Sequence, residues 1–367
     1  MTSFVKPLLV GMTIFAACLA AEEIVGGPAV VNVGPRTATV IWLVSDAQAT
    51  LGESPTDQKL VSKAVRAQKT VYSNLKPGTT YYYTVPAGKG QFKTAPAPPT
   101  ATVPAPAPAP YTFVVYGDDR TRDDVHAQVI ARMEKSDPDF AVHTGDLVTD
   151  GSDTKLWPNF FNIEKALLSK TAFYPSLGNH ERNDRQYYEF LDVKSAYYSF
   201  DWGNAHFSIL NTDIGNAAAG PEARERYWKE QVAWLEQDLA RSQRSDFRFI
   251  AGHHPPFTSV KSRQGDNAHM WALVPMFERY KVTAVLNGHD HNYQHYEKKG
   301  IHYVVTGGAG APLYDVDMPP AYITKKVEKT ENFVRVKVDG KHAIAEAIGI
   351  DGRIIDSFEL SATPAAK

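Results

Sequence analysis

The sequence predicts a two-domain fold: a small N-terminal all-β sandwich followed by a larger α/β domain. Three observations predict it. Residues 22–94 hold short runs rich in β-branched and aromatic residues, separated by Gly, Pro, Asn or Asp. Residues 95–110 then carry seven prolines in sixteen positions, mostly alternating with alanine. From residue 111 to 361, apolar strand-like runs alternate with helical patterns.

Composition narrows the options before any motif is read. The chain has 367 residues and 43% hydrophobic content, enough for a packed core. Lys plus Arg number 39 against 41 for Asp plus Glu, so no bulk charge signals nucleic-acid binding or an anionic membrane surface. A single cysteine excludes a disulfide framework and any cysteine-built zinc cluster. Metal chemistry must therefore come from the twelve histidines and from oxygen ligands.

The first segment, 1–21, reads as an export signal. Lys6 precedes the apolar stretch 7–20, and Cys18-Leu19-Ala20 forms a small-x-small exit. Fourteen residues fall short of the ~20 needed to span a bilayer. Two readings are open: a cleaved signal, or a bacterial lipoprotein signal lipidated at Cys18. Either predicts export to a periplasmic or extracellular compartment, with no transmembrane segment.

In residues 22–94, strand-like runs fall at 29–33, 37–44, 61–65, 69–71, 80–85 and 91–94. Alternation directs Trp42 into the core. Leu75-Lys76-Pro77-Gly78-Thr79-Thr80-Tyr81-Tyr82-Tyr83 resembles the turn and tyrosine corner of fibronectin type III domains, in which a tyrosine hydroxyl ties the corner to backbone. The proline-rich stretch 95–110 excludes helix and central strand, so it is a semi-rigid linker. In the α/β part, runs at 112–116, 140–143, 173–177, 206–210, 247–251, 282–286 and 302–305 read as buried strands. Val125, Val129 and Met133, and Trp228, Val232, Leu235 and Leu239, follow helical spacing. Residues 333–338, 343–348 and 353–360 close the chain as a β meander, with Asp351-Gly352 as a hairpin turn.

The chemistry stands directly after these strands. Gly117-Asp118, Gly145-Asp146, Gly178-Asn179-His180-Glu181, Gly252-His253-His254-Pro255 and Gly288-His289-Asp290-His291 each follow an apolar run. Carboxyl ends of strands in α/β sheets converge on one crevice, so these metal-competent side chains should meet. Glycine leaves room for the tight turn and for backbone near an ion.

In this order the motifs resemble the calcineurin-like metallophosphoesterases. The fibronectin-like front and the segment from Gln231 to Leu239 place the resemblance in the purple acid phosphatase-like branch, over nearly all of residues 25–310. The resemblance implies a metallophosphoesterase sandwich fold and an acid phosphatase-like hydrolase of phosphate esters. It also implies two metal ions, drawn from Fe, Zn or Mn. Asp146 would bridge them, Asp118 and His291 would hold the first, and Asn179, His253 and His289 the second. Two cations offset the phosphate charge and acidify a water to attack phosphorus. His180 would bond the phosphoryl group or the leaving oxygen, as general acid or as an orienting group.

The chain departs from that pattern at the first metal. Purple acid phosphatases carry a tyrosine three residues after the bridging aspartate, where this chain has Thr149. Other metallophosphoesterases carry histidine two residues after the first aspartate, where this chain has Arg120. The expectation is that His126 or Asp119 completes the first site and that Arg120 clamps phosphate in bidentate fashion. His254 and His295 are candidates for the cleft, His143 for the surroundings of the ligands, and Asp290 points away. Residues 157–162, 183–188 and 259–270 are the loops expected to shape the pocket. The alternatives are a phosphodiesterase or a nucleotide- or phospholipid-specific hydrolase of the same fold, and a non-catalytic binding or adhesion protein with a degenerate phosphatase domain.

Overall fold

The structure is a computed structural model describing residues 22–45, 50–57, 59–60, 65–99, 109–266 and 268–363. The export signal with Cys18, residues 100–108 of the proline-rich stretch and residues 61–64 of one expected strand lie outside the described residues.

The chain opens with β1 (Glu23–Val31), β2 (Ala38–Ser45), a short pair β3 (Thr50–Leu51) and β4 (Lys59–Leu60), and β5 (Val65–Tyr72). A hairpin of β6 (Thr80–Val85) and β7 (Gly88–Lys93) follows. Then β8 (Tyr111–Tyr116), α1 (Asp123–Glu134), β9 (Phe140–His143), α2 (Trp157–Leu168) and β10 (Ala172–Pro175) alternate, followed by α3 (Arg185–Phe190). The next stretch holds β11 (Tyr198–Trp202), β12 (Ala205–Ile209), α4 (Ile214–Ala217) and the long α5 (Pro221–Arg241). After it come β13 (Phe247–Ala251), α6 (Ala268–Trp271), α7 (Val274–Arg279) and β14 (Ala284–Asn287). The last strands are β15 (Tyr293–Lys298), β16 (Ile301–Thr306), β17 (Thr324–Glu328) and the meander β18 (Asn332–Asp339), β19 (His342–Gly349) and β20 (Ile354–Ser361).

Two sheets result. One has nine strands in the order β20-β19-β18-β8-β9-β10-β1-β2-β5, the other seven in the order β11-β12-β13-β14-β16-β15-β17. Their facing sides share one apolar cluster: the Phe113 ring meets Phe207 and Phe249 edge-on at 5.3 and 5.4 Å, and Phe140 lies 4.6 Å from Trp202. On the outer side of the nine-stranded sheet, Val129 and Met133 of α1 and Phe160, Phe161 and Leu167 of α2 cover Val114, Tyr116 and Ala141. Leu235 and Leu239 of α5 and Phe277 of α7 cover Ile250 and Val285 of the other sheet. The layers run helix, sheet, sheet, helix, as the helical spacings required.

The separate front sandwich is corrected by the sheet order. β1 pairs in parallel with β10 (Val30 opposite Ala172, Val31 opposite Phe173), and β2 and β5 extend the same sheet. Val30, Val40 and Trp42 lie in the same cluster as Phe113 and Phe249, while Ala29, Val31, Ile41 and Leu43 face the helix side. A strand buried on both faces needs layers above and below it, which the α/β body supplies and a seventy-residue sandwich would not. The beginning of the proline-rich stretch is likewise tied in: Ala95 is buried and accepts from Gly78 N, and Pro96 accepts from Gly203 N. The tyrosine corner does form, with Tyr81 Oη accepting from Lys76 N at 2.9 Å. The hairpin that carries it docks through Tyr83 Oη, which donates to Ser169 O at 2.8 Å.

Two expected pocket loops are in part helical. Trp157 to Asn162 opens α2, with Trp157, Phe160 and Phe161 in the core, and Arg185 to Tyr188 begins α3.

Candidate metal centre

β8, β9 and β10 run parallel in one sheet, and β13 and β14 run parallel in the other. Their carboxyl ends lie at one edge of the sandwich. Asp118 follows β8, Asp146 follows β9 and Asn179 follows β10; His253 follows β13, and His289 and His291 follow β14. The donor set therefore spans both sheets.

On one side, Asp118, Asp146 and His291 are buried and place ligand atoms within 4.8 Å of one another. His291 Nε2 lies 3.4 Å from Asp118 Oδ1, and its Nδ1–H donates to Pro312 O at 2.7 Å. That tether fixes the tautomer and leaves Nε2 bare. Asp118 Oδ1 has no hydrogen-bond partner among the described residues. On the other side, His253 Nδ1–H donates to Thr144 O at 2.8 Å, which leaves Nε2 bare as well. That atom lies 3.1 Å from Asn179 Oδ1, 3.1 Å from His289 Nδ1 and 3.5 Å from Asp146 Oδ1. Lone pairs of four side chains thus converge, which is costly in a buried place unless something positive joins them. Mixed imidazole, amide and carboxylate donors suit Zn, Mn or Fe. The residues fit a two-metal centre with Asp146 between its halves.

Backbone strain and close approach hold this arrangement. Asp118, Asp146 and His289 have φ of +58°, +62° and +68°, a region that costs non-glycine residues of the order of 1–2 kcal/mol each. A Cβ on Gly178 would lie 2.2 Å from Asp146 Oδ1, and one on Gly288 2.4 Å from Asp118 Oδ2. At both positions the carboxylate passes where a side chain would begin. His289 N donates to Asp118 Oδ2 at 2.8 Å, and His180 N donates to Asp146 Oδ1 at 2.9 Å, so each aspartate is also aimed by a neighbouring loop.

The electrostatics favour donors in their ligating forms. Burial pushes the Asp146 carboxyl up, but electrostatic attraction toward His253, His180 and Arg120, with the His180 backbone N–H, outweighs it and holds it below its ordinary value. Burial, followed by the neighbouring His254 and His253, drives His289 well below the usual imidazole range, so it is neutral. A metal requires that form.

Glu181 had no assigned role in the sequence reading, yet it organises the site. Its fully buried carboxylate accepts from the N–H groups of Asp146, Leu147, Val148 and Gly178 at 2.7–3.4 Å, binding the two ligand loops together. Burial and the Asp146 charge push this carboxyl up, against the pull of those N–H donors. The signal was available: an acidic residue directly after Asn179-His180.

His180 is about one third exposed; its Nδ1–H donates to Thr149 O at 2.7 Å and its Nε2 lies 3.8 Å from Asp146 Oδ2. Arg120 Nε reaches the same oxygen at 3.2 Å. His126 is not brought to Asp118, Asp146 and His291. It stands with Asp119 and Glu164 in a separate buried group, because the first turns of α1 face α2 rather than the sheet edge. There, burial opposes its charge, but Asp119 foremost and then Glu164 outweigh that and raise His126 to about 10.

The other histidines sort by contact. His254 is buried with its ring 4.1 Å from His289 and its Nδ1 3.1 Å from Thr212 Oγ1, so it packs the centre. His143 accepts from Gly145 N and bonds Asp119, as part of the surroundings. His295 does not line the cleft; it bonds Asp356 and His302 and stacks on Phe358 at 3.9 Å. Asp290 points away, held by Thr258 and Gln294, with burial pushing it up to about 6.

Fold and site together define a sandwich protein with a two-metal donor set at its strand ends. The chain belongs to the calcineurin-like phosphoesterase family, whose model matches residues 105–293. Human tartrate-resistant acid phosphatase type 5 is 26% identical over 216 residues, 51% of this chain and 66% of that protein. Probable inactive purple acid phosphatase 9 of Arabidopsis thaliana is 23% identical over 286 residues, 62% of this chain and 42% of that protein. The chain thus spans less than two thirds of the length of these curated relatives. Among solved structures, the purple acid phosphatase PPD1 from yellow lupin seeds superposes with a TM-score of 0.70 at 17% identity, covering 92% of this chain and 74% of that one.

Proposed function

We propose that this chain is an exported acid phosphatase-like hydrolase of phosphate monoesters, working at a two-metal centre held by Asp118, Asp146, Asn179, His253, His289 and His291. The observation that carries the reading is the convergence of bare His253 Nε2, His289 Nδ1, Asn179 Oδ1 and Asp146 Oδ1 beside the Asp118–His291 pair. Two cations bound there would supply Lewis acidity and a nucleophilic water at neutral pH. Neutral Asn179 contributes an oxygen without adding charge, which keeps the centre positive toward a phosphate dianion. His180, anchored through Nδ1–H to Thr149 O, presents Nε2 on the solvent side of Asp146. From there a protonated ring can give its proton to the leaving oxygen. Arg120 adds a fixed positive charge on the same side of that carboxylate, where it can bond phosphoryl oxygens.

The test is parallel turnover of nitrophenyl phosphate monoester and diester, with chelator and with Zn²⁺, Mn²⁺ or Fe added back. Monoester turnover at least about tenfold above diester, lost with chelator and restored by metal, is expected. Diester preference would replace the reading with a phosphodiesterase, and metal-independent silence on both substrates with a binding protein. Thr149 in the tyrosine place predicts no visible charge-transfer band in the iron-loaded protein, and a purple sample would contradict that assignment.

A further inference from the structure

We infer that the chain carries a third cation site, separate from the two-metal centre, built from Asp119, His126 and Glu164. Asp119 comes from the loop after β8, His126 from α1 and Glu164 from α2, and their ligand atoms lie within 4.8 Å of one another. His126 Nε2 is 2.8 Å from Glu164 Oε1 and 3.0 Å from Asp119 Oδ2. One imidazole nitrogen carries at most one proton, so it cannot give both carboxylates a full hydrogen bond.

The remaining donors do not close the account. His143 Nδ1 accepts from Gly145 N at 3.0 Å, so its proton sits on Nε2, which donates to Asp119 Oδ2 at 3.2 Å. Tyr116 Oη donates to Glu164 Oε1 at 2.9 Å. Asp119 Oδ1 and Glu164 Oε2 are left without a hydrogen-bond partner among the described residues, although both side chains are fully buried. Two buried carboxylates facing one imidazole, each with a bare oxygen, form an O,O,N donor set of the kind that Zn²⁺ or Mn²⁺ takes, the ion displacing to solvent the proton that the carboxylates otherwise hold on His126. Tyr116 and His143 would then act from behind, orienting the carboxylates toward the ion. A cavity of about 60 Å³ lined by Asp119, Arg120, His126, Asn159 and Phe160 adjoins the group and gives an ion and a water a way in. An ion here ties α1 and α2 to the loop that carries Asp118.

Metal content measures this directly. The whole protein is equilibrated with Zn²⁺ or Mn²⁺, freed of excess ion and analysed for bound metal. Wild type, His126→Ala, Glu164→Gln and His253→Ala are compared, each checked by circular dichroism. Three equivalents in wild type are expected, falling to two in both His126→Ala and the near-isosteric Glu164→Gln. Two equivalents in wild type and two in both variants would overturn the site. Two in wild type, one in His126→Ala and still two in Glu164→Gln would overturn it as well, by returning His126 to the two-metal centre. His253→Ala separates the readings: metal lost there but not in Glu164→Gln keeps the two-metal centre without the third site, and the reverse keeps the third site without the centre.

Discussion

Two groups of buried histidines, one at the strand ends and one at the sheet flanks, differ in how their nitrogens are used. At the centre, His253 and His291 each tie Nδ1–H to a backbone carbonyl and leave Nε2 facing acidic or neutral oxygens. At the flanks every nitrogen is spoken for: His206 bonds Asp201 through Nδ1 and Asp238 through Nε2, and His295 bonds Asp356 and His302. Burial alone therefore does not mark a ligand. At the two-metal centre the mark is one tethered nitrogen and one bare one, since a bare buried lone pair costs free energy that a metal or a proton recovers.

The sharpest way to break that contrast is at its centre. Asp146→Asn keeps the shape but removes the charge that faces both halves of the donor set. We expect monoester turnover to fall at least about 10³-fold, more than 4 kcal/mol of transition-state stabilisation, with the fold intact by circular dichroism. Full turnover in that variant would refute the bridging role.

The flank histidines should answer in stability instead. His206 is raised from 6.5 to about 9: burial opposes its charge, but hydrogen bonds to Asp201 and Asp238 outweigh it. A folded-state value above the unfolded one adds stability that is fully present below pH 6.5 and is lost as pH rises through about 9. The size is of the order of 3 kcal/mol. Urea unfolding at pH 6 and pH 10 should show this loss in wild type and lack it in His206→Gln. Metal content should stay at the wild-type level in His206→Gln and drop by about one equivalent in His253→Ala. Metal lost from His206→Gln would erase the distinction drawn between the two groups.

What the sequence made legible follows the same division. The centre was readable because each ligand follows a strand and a glycine, a local signature that topology turns into proximity. Trp42, Val129, Met133, Leu235 and Leu239 were readable as core for a similar reason, since periodicity is local. The partner of β1 was not. Local pattern marks 29–33 as a strand, but nothing near it says that its neighbour is β10, about 140 residues away. The proline-rich stretch then looked like a boundary between bodies that share one sheet. His126 was misplaced for a related reason: its spacing from Asp118 allowed it to reach the first metal, and only the packing of α1 on α2 turns it to Glu164.

Arg120 tests the smallest difference, between a charge that belongs to the centre and one that only lies against it. Its Nε reaches Asp146 Oδ2 at 3.2 Å, and its side chain is 13% exposed. As a phosphate clamp it would contribute a charge-assisted hydrogen bond worth roughly 1.5–3 kcal/mol. Arg120→Ala should then lower kcat/KM for the monoester about 10- to 100-fold while leaving metal content unchanged. Arg120→Lys should recover only part of that loss, because an ammonium keeps the charge and lacks the planar fork. If Arg120 merely screens Asp146, lysine restores full turnover and alanine changes metal affinity rather than kcat/KM. Inorganic phosphate inhibition read on the same three proteins separates the cases: only a clamp weakens phosphate binding in step with kcat/KM.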